Sequence, residues 1–375
     1  MKRIYIYVIT AFALLAGACS DNNLNDDAPV VPATPDIVIP EGAAEGELLI
    51  KFVPEMTEIL DRTMKTRAAG ASTRSGIPST DEVLSILGAY DFERVFPVDS
   101  RTEEKSREAG LHLWYLVRFD KNTDLKEAME RLSGLGEISK LQINPAIQRA
   151  YNPKKKPVPV SEAALNRMRT RAAADNGFKF NDALLPHQWG YINRGAYDFA
   201  TEKAPAIVGS DVNCEEAWEL CTGDPEIIVA VLDEGVMYTH EDLTANMWVN
   251  EKEQVGSDQD NDGNGYKGDR YGYNFVKDNG NISWQAAEDT GHGTHVAGTI
   301  AAVNGNNKGV CGIAGGDGTK KGVRIMSCQV FDGDGQVRMV NEARAIKYAA
   351  DNGAVILQCS WGYNSAYSNP MQGYI

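Results

Sequence analysis

The sequence predicts an α/β protein in two parts, a small open α/β sandwich followed by part of a parallel-sheet domain. Three observations support this fold class. Strand-like and helix-like segments alternate between residues 43 and 150, a continuous apolar run spans Ile227–Leu232, and a second apolar run begins at Ala354. Continuous apolar runs are typical of parallel strands that are covered on both faces.

The alternation in residues 43–150 is defined by five expected elements. They are strands at Glu45–Val53, Leu111–Phe119 and Ile138–Ile143 and helices at Asp81–Leu87 and Asp124–Leu132. The second helix has the clearest pattern, because Leu125, Met129 and Leu132 share one face. This composition indicates a small sheet with helices packed against it.

Two polar residues in the second part are candidates for catalysis. His292 stands between Gly291 and Gly293, which remove side chains that would obstruct a substrate backbone. Asp233 directly follows the predicted buried strand, and open α/β sheets place their chemistry at the carboxyl ends of strands. We expect Asp233 to orient His292 as a general base. The neighbouring Glu234 is assigned no chemistry.

The blocks VAVLDEGV and HGTHVAGTIAA, in this order, resemble the aspartate and histidine blocks of subtilisin-like serine proteases. Similar segments lie at residues 181–189, 211–218 and 309–314. The resemblance implies a three-layer parallel-sheet catalytic domain from residue 181 to 375. It also implies serine-type endopeptidase activity on extended polypeptides through an Asp/His/Ser triad. Substrate would add as a strand beside Ser360, Trp361 and Gly362.

The serine block and the oxyanion-hole asparagine of this family are absent from the sequence. Four serines follow the histidine block, none of them in a Gly-Thr-Ser-Met-type turn: Ser327, Ser360, Ser365 and Ser368. We expect a truncated fragment of a protease, inactive as given, since loss of the serine in subtilisin costs about a millionfold in turnover. The alternative is a natural, non-catalytic, lipid-anchored binding or inhibitor-like protein that uses residues 43–150.

By its position, the segment 43–150 is similar to the propeptides of this family. The resemblance implies that the chain's own propeptide region is an intramolecular inhibitor that covers the cleft. An unrelated adhesion or tether domain is the alternative. Residues 151–180 include Lys154-Lys155-Lys156 and several prolines. They predict an exposed linker that is easily cut.

The N-terminus resembles a bacterial lipoprotein signal peptide over residues 1–18. A basic start is followed by an apolar run and then Cys19. The resemblance implies a lipid on Cys19 and an acidic tether at residues 19–42. The protein would then be anchored at a membrane of the cell envelope, facing the periplasm or the cell surface. An ordinary secretory signal is the alternative.

An acidic stretch between the two catalytic blocks predicts a structural calcium site. Oxygen-bearing side chains alternate, a glycine stands sixth and an aspartate twelfth, as in calcium-binding loops. The predicted ligands are Asp258, Asp260, Asp262, Asn264 and Asp269. A solvated acidic turn without metal is the alternative. A weaker cation candidate lies at Asn304–Asn307, and a zinc pair of His292 and His295 lacks further ligands.

Cysteine content and charge limit the remaining possibilities. Cys214 and Cys221 lie too far apart on one predicted helix for a disulfide. Cys311, Cys328 and Cys359 are expected to be buried thiols. The net charge of −15 argues against nucleic acid as a partner, because the chain has no broad basic surface to neutralise phosphates.

Overall fold

The computed structural model describes residues 39, 42–66, 73–152, 161, 163, 166, 177–195, 205–285, 289–333 and 337–363. The predicted signal peptide, Cys19 and most of the acidic tether and of the linker lie outside them. The described residues belong to one compact unit, Ile37–Ile375. No helix within them is both long and apolar enough to cross a membrane.

The first part is a four-stranded antiparallel sheet with helices on one face. Its strands are β1 (Ala43–Phe52), β2 (Asp91–Arg94), β3 (Trp114–Arg118) and β4 (Ile138–Pro145), in the order β2-β3-β1-β4. The helices of this part are α1 (Thr57–Thr66), α2 (Pro78–Ile86), α3 (Glu103–Glu108) and α4 (Leu125–Ser133). Because side chains alternate along β1, Ile50 and Phe52 face Leu60 of α1, Leu84 of α2 and Leu132 of α4 in one core.

The other face of this sheet is also buried. Leu49, Trp114 and Leu116 form a cluster with Met339 and Val340. The last two residues begin a helix of the second part, Met339–Asp351. The antiparallel sheet is therefore covered on both faces.

The second part is a parallel sheet between two helical layers. Its strands are β6 (Ile228–Glu234), β7 (Gly272–Asn274), β8 (Arg324–Phe331) and β9 (Ile356–Cys359), in the order β7-β8-β6-β9. Its helices are α5 (Cys214–Leu220), α6 (His292–Ala301) and α7 (Met339–Asp351). Ala297 of α6 packs on one face against Val231, and Ala345 of α7 packs on the other against Leu232. This arrangement confirms the predicted α/β class and the parallel sheet.

Some local predictions were wrong. The expected strand Leu111–Phe119 begins only at Trp114, because Leu111–Leu113 forms a 3₁₀ turn. The segment 354–362, expected to be one buried strand, contains β9 and a separate short strand. Ile356 is 51% exposed and Cys359 is exposed. The reason is that β9 is the edge strand of the parallel sheet within the described residues. All five cysteines of the described region are unpaired.

Candidate active site

Asp233 and His292 meet at the carboxyl end of β6. Every residue of β6 is buried, and the Asp233 side chain has no exposed surface. His292 is the first residue of α6, and its Nδ1 lies 2.9 Å from each carboxylate oxygen of Asp233. A buried carboxylate at this distance fixes the orientation of the ring and leaves Nε2 for a reacting partner. The pair thus has the geometry of a general base held by an acid.

The start of α6 is attached to β6 by Glu234. This buried carboxylate accepts hydrogen bonds from the backbone nitrogens of Thr290, at 2.9 Å, and of His292, at 3.1 Å. The Thr290 hydroxyl also donates to it. The approach is so close that a Cβ on Gly293 would lie 2.1 Å from the Glu234 carbonyl oxygen. Sequence analysis assigned Glu234 no role, because these bonds depend on how the turn before α6 folds.

Tyr151 covers the imidazole of His292. The two rings are stacked, with centroids 3.6 Å apart and an angle of 10° between planes. The Tyr151 hydroxyl donates to Asp233 Oδ1 at 3.3 Å. Burial and the nearby Asp233 and Glu234 carboxylates raise the pKa of Tyr151, so its hydroxyl remains a neutral donor. The first residue of the predicted linker therefore closes the site.

A two-stranded antiparallel ribbon leads to this tyrosine. It consists of β5 (Ile147–Arg149) and β10 (Trp361–Tyr363), with Arg149 opposite Trp361 and Gln148 opposite Gly362. Ala150 extends the pairing by donating its backbone N–H to the Ser360 carbonyl at 2.8 Å. The residues predicted to bind substrate thus pair with a segment of this chain.

The side chains at these positions have different surroundings. The Trp361 indole packs against the core on the α7 side of the parallel sheet and donates to the Leu232 carbonyl at 3.0 Å. The Ser360 hydroxyl accepts a bond from Gln358. The Ser327 hydroxyl is buried and accepts from the Val236 backbone. Ser365 and Ser368 lie outside the described residues, so the structure places no serine beside His292 within its described part.

Three carboxylates form a compact group in the loop between the catalytic blocks. Oxygens of Glu253, Asp262 and Asp269 lie within 4.8 Å of one another. Asp262 and Asp269 are among the predicted ligands, whereas Glu253 precedes the predicted loop and was missed. Asn264 is buried and donates to Asp269 at 2.9 Å. Its own amide oxygen accepts from the Tyr266 backbone.

The other two predicted ligands lie differently. Both oxygens of Asp260 accept bonds from backbone nitrogens of the loop, those of Gly263, Asn264 and Gly265. Asp258 is exposed and accepts from the Gln259 side chain. Neither carboxylate belongs to the three-membered group. Asp260 shapes the loop around the group instead.

The donor set of this group fits a hard divalent cation. Burial raises the pKa of Asp269 to about 6, although Asn264 and Tyr348 donate to the carboxylate. The nearby charges of Asp262 and Glu253 add to the increase. Oxygen ligands that repel one another in a buried position are what a calcium ion would stabilise.

The weaker cation candidate, Asn304–Asn307, lies beside two further acids. Asp242 accepts from the Asn306 side chain at 2.7 Å, and Asp182 accepts from the Gly305 backbone at 2.7 Å. Burial raises the pKa of both carboxyls. The sequence pattern did not identify these two aspartates.

Comparison with known proteins follows the same residues. The family model described as "Subtilase family" matches residues 224–374. Subtilisin-like protease 1 of Plasmodium vivax is 32% identical over 214 residues, which are 56% of this chain and 30% of that protein. The halolysin-like extracellular serine protease Nep of Natrialba magadii is 33% identical over 151 residues, 40% of this chain and 23% of that protein.

Among solved structures, fervidolysin from Fervidobacterium pennivorans aligns with a TM-score of 0.44 at 19% identity, over 88% of this chain and 38% of that chain. The chain spans between 23% and 30% of the length of the two relatives named above. The matched segment contains both catalytic blocks, with Asp233 and His292. Over residues 224–374, the chain therefore carries a domain of the subtilase family.

Proposed function

We propose that this chain supplies the acid and the base of a serine-type endopeptidase that cleaves extended polypeptides. The observation that carries the proposal is the contact between Asp233 and His292 beside a strand, β10, to which a peptide segment is already paired. The relatives that match are proteases by name. Backbone pairing is a means of holding an extended substrate whatever its sequence.

In the proposed mechanism, Asp233 holds the imidazole and stabilises its protonated form. His292 Nε2 takes the proton of a serine hydroxyl as the hydroxyl attacks the carbonyl carbon. It then gives that proton to the nitrogen of the leaving amine. The serine and the oxyanion donor are not among the residues of this sequence.

We also propose that residues 147–151 act as an intramolecular inhibitor. Three contacts support this role: the pairing of β5 with β10, the bond from Ala150 to Ser360, and the stacking of Tyr151 on His292. A peptide held there excludes other substrates from the base. Cutting in the linker would be needed before the cleft could bind another polypeptide.

Two further properties are proposed for the whole protein. A structural calcium ion would be held by Glu253, Asp262 and Asp269, where it would offset the repulsion of buried carboxylates. A lipid on Cys19 would anchor the protein in the bacterial cell envelope, facing outward. Metabolic labelling with an alkyne fatty acid tests the anchor, and a Cys19→Ala variant should lose the label.

The catalytic proposal is tested by reading the source locus through the codon for Ile375 and beyond. A downstream Gly-Thr-Ser-Met-type block supports it, whereas a stop codon followed by unrelated sequence favours the non-catalytic alternative. The product of the intact locus should cleave peptides and be inactivated by phenylmethylsulfonyl fluoride. His292→Ala should abolish turnover. His295→Ala is the matched control, because His295 is exposed on the same helix.

A further inference from the structure

The segment paired with β10 contains one charged side chain that enters the site. Arg149 directs its guanidinium toward Glu234, with Nε 3.3 Å from Oε1. Its Nη2 donates to the Gly333 carbonyl at 2.8 Å, and the guanidinium carbon lies 4.8 Å from the centroid of the Phe331 ring. The Arg149 side chain is 13% exposed and that of Glu234 is fully buried. This is a built site for a cation.

The register of the segment locates this site relative to the reacting bond. Ala150 makes the last backbone bond to the cleft strand, at Ser360, and the next residue lies on the imidazole. The peptide bond presented to His292 is therefore the one between Ala150 and Tyr151. Arg149 is then the second residue on the amino side of that bond.

We infer that Glu234 is a specificity-determining residue that selects arginine or lysine at the second position before the cleaved bond of a polypeptide substrate. The inference deepens the proposed proteolytic function and rests on it. Glu234 is suited to this selection because it belongs to the cleft and remains there when the cis segment leaves. Its position directly after Asp233 ties recognition to the catalytic acid.

The charges around the subsite favour a cation over a neutral side chain. The other groups that bond Glu234 are neutral donors of Thr290 and the His292 backbone. Asp233 adds a second buried carboxylate beside it, and Arg149 is its cationic partner among the described ion pairs. A neutral substrate side chain would leave a buried charge without a counter-ion, which is unfavourable.

The first experiment measures the cation site without requiring activity. Amide hydrogen exchange at Ala150 reports how often the segment leaves the cleft, because this amide is bonded to Ser360. Arg149→Ala and Glu234→Gln should each speed its exchange roughly tenfold or more, since each removes a charge-assisted contact. The double variant should exchange no faster than the faster single variant.

Arg149→Lys should fall between the wild type and Arg149→Ala, because the ammonium keeps the charge but not the planar fork. Gln148→Ala is the matched control on the same strand, since its side chain is exposed. Effects of Arg149→Ala and Glu234→Gln that multiply in the double variant would overturn the inference. So would an Arg149→Ala variant that exchanges like the wild type.

The second experiment measures selection with the product of the intact locus. Peptides carrying Ile-Gln-X-Ala-Tyr, with X as Arg, Lys, Gln or Glu, are compared by kcat/KM. Arginine should exceed glutamine by roughly tenfold or more, and Glu234→Gln should bring this ratio close to one. Equal rates for all four peptides contradict the subsite alone. Cleavage of none of them contradicts the proposed protease function.

Discussion

Replacing Gly293 by alanine should destabilise the protein, because there is no space for a side chain where α6 meets β6. The added Cβ would lie 2.1 Å from the Glu234 carbonyl oxygen. Even weak C–H···O contacts keep carbon and oxygen about 3.3–3.6 Å apart. The start of α6 would therefore have to move by roughly 1 Å relative to the end of β6.

The cost follows from the bonds that this movement stretches. Glu234 receives three bonds from Thr290 and His292 across the same junction. Hydrogen bonds to charged groups contribute about 1.5–3 kcal/mol each, so loss of one or two lowers the free energy of unfolding by about 2–5 kcal/mol. In a domain of this size that corresponds to about 5 °C or more in Tm.

The matched control is Gly298→Ala, the same change later in α6. A Cβ there meets no atom within 4 Å. Alanine is the better helix former, so this variant should be neutral or gain up to about 1 kcal/mol. Urea unfolding followed by circular dichroism measures both variants. A Gly293→Ala protein as stable as Gly298→Ala would refute the reasoning.

Three other predictions concern the acidic group and the covered histidine. In calcium-free buffer, burial raises the pKa of Asp269 to about 6, so the stability contributed by its protonated form is present below about pH 4 and lost as pH rises through 6. Urea unfolding of wild type minus Asp269→Asn should therefore fall by about 3 kcal/mol between pH 4 and 7, and a flat difference contradicts this. Calcium at about a hundredfold its Kd should stabilise the wild type by about 2.7 kcal/mol. Thermal melts should show that Glu253→Gln loses most of this effect and that the exposed Asp258→Asn keeps it; equal effects in both would argue against the three-carboxylate site. Tyr151→Ala should speed carbethoxylation of His292, followed by mass spectrometry, since the stacked ring is removed; an unchanged rate would mean that Tyr151 does not shield the imidazole.

The fold class and the catalytic pair could be predicted because their signals are local in sequence. An apolar run followed by Asp233 predicts a buried strand ending in an acid. The glycines around His292 predict close packing at a helix start. The structure agrees with both, down to the close contact that Gly293 permits.

The contacts made between distant segments could not be read in this way. Glu234 owes its bonds to a turn 56 residues later in the chain, and no spacing rule connects them. Glu253 joins Asp262 and Asp269 from outside the regular ligand spacing. Tyr151 looked like the start of an exposed linker, since nothing in its neighbourhood indicates stacking on His292. The exposure of Ile356 depends on what lies beside β9 and not on its own apolar character.

The shared cluster between the antiparallel sheet and the start of α7 has a consequence for folding. Leu49 and Met339 are in one cluster although nearly 300 residues separate them in sequence. Such distant contacts form late and slow a folding reaction. Until the first sheet exists, Met339 and Val340 have no apolar surface to cover them, so α7 cannot complete its packing. Once the linker is cut, departure of that sheet would expose both residues to water. The same five side chains would then determine how slowly the two pieces separate.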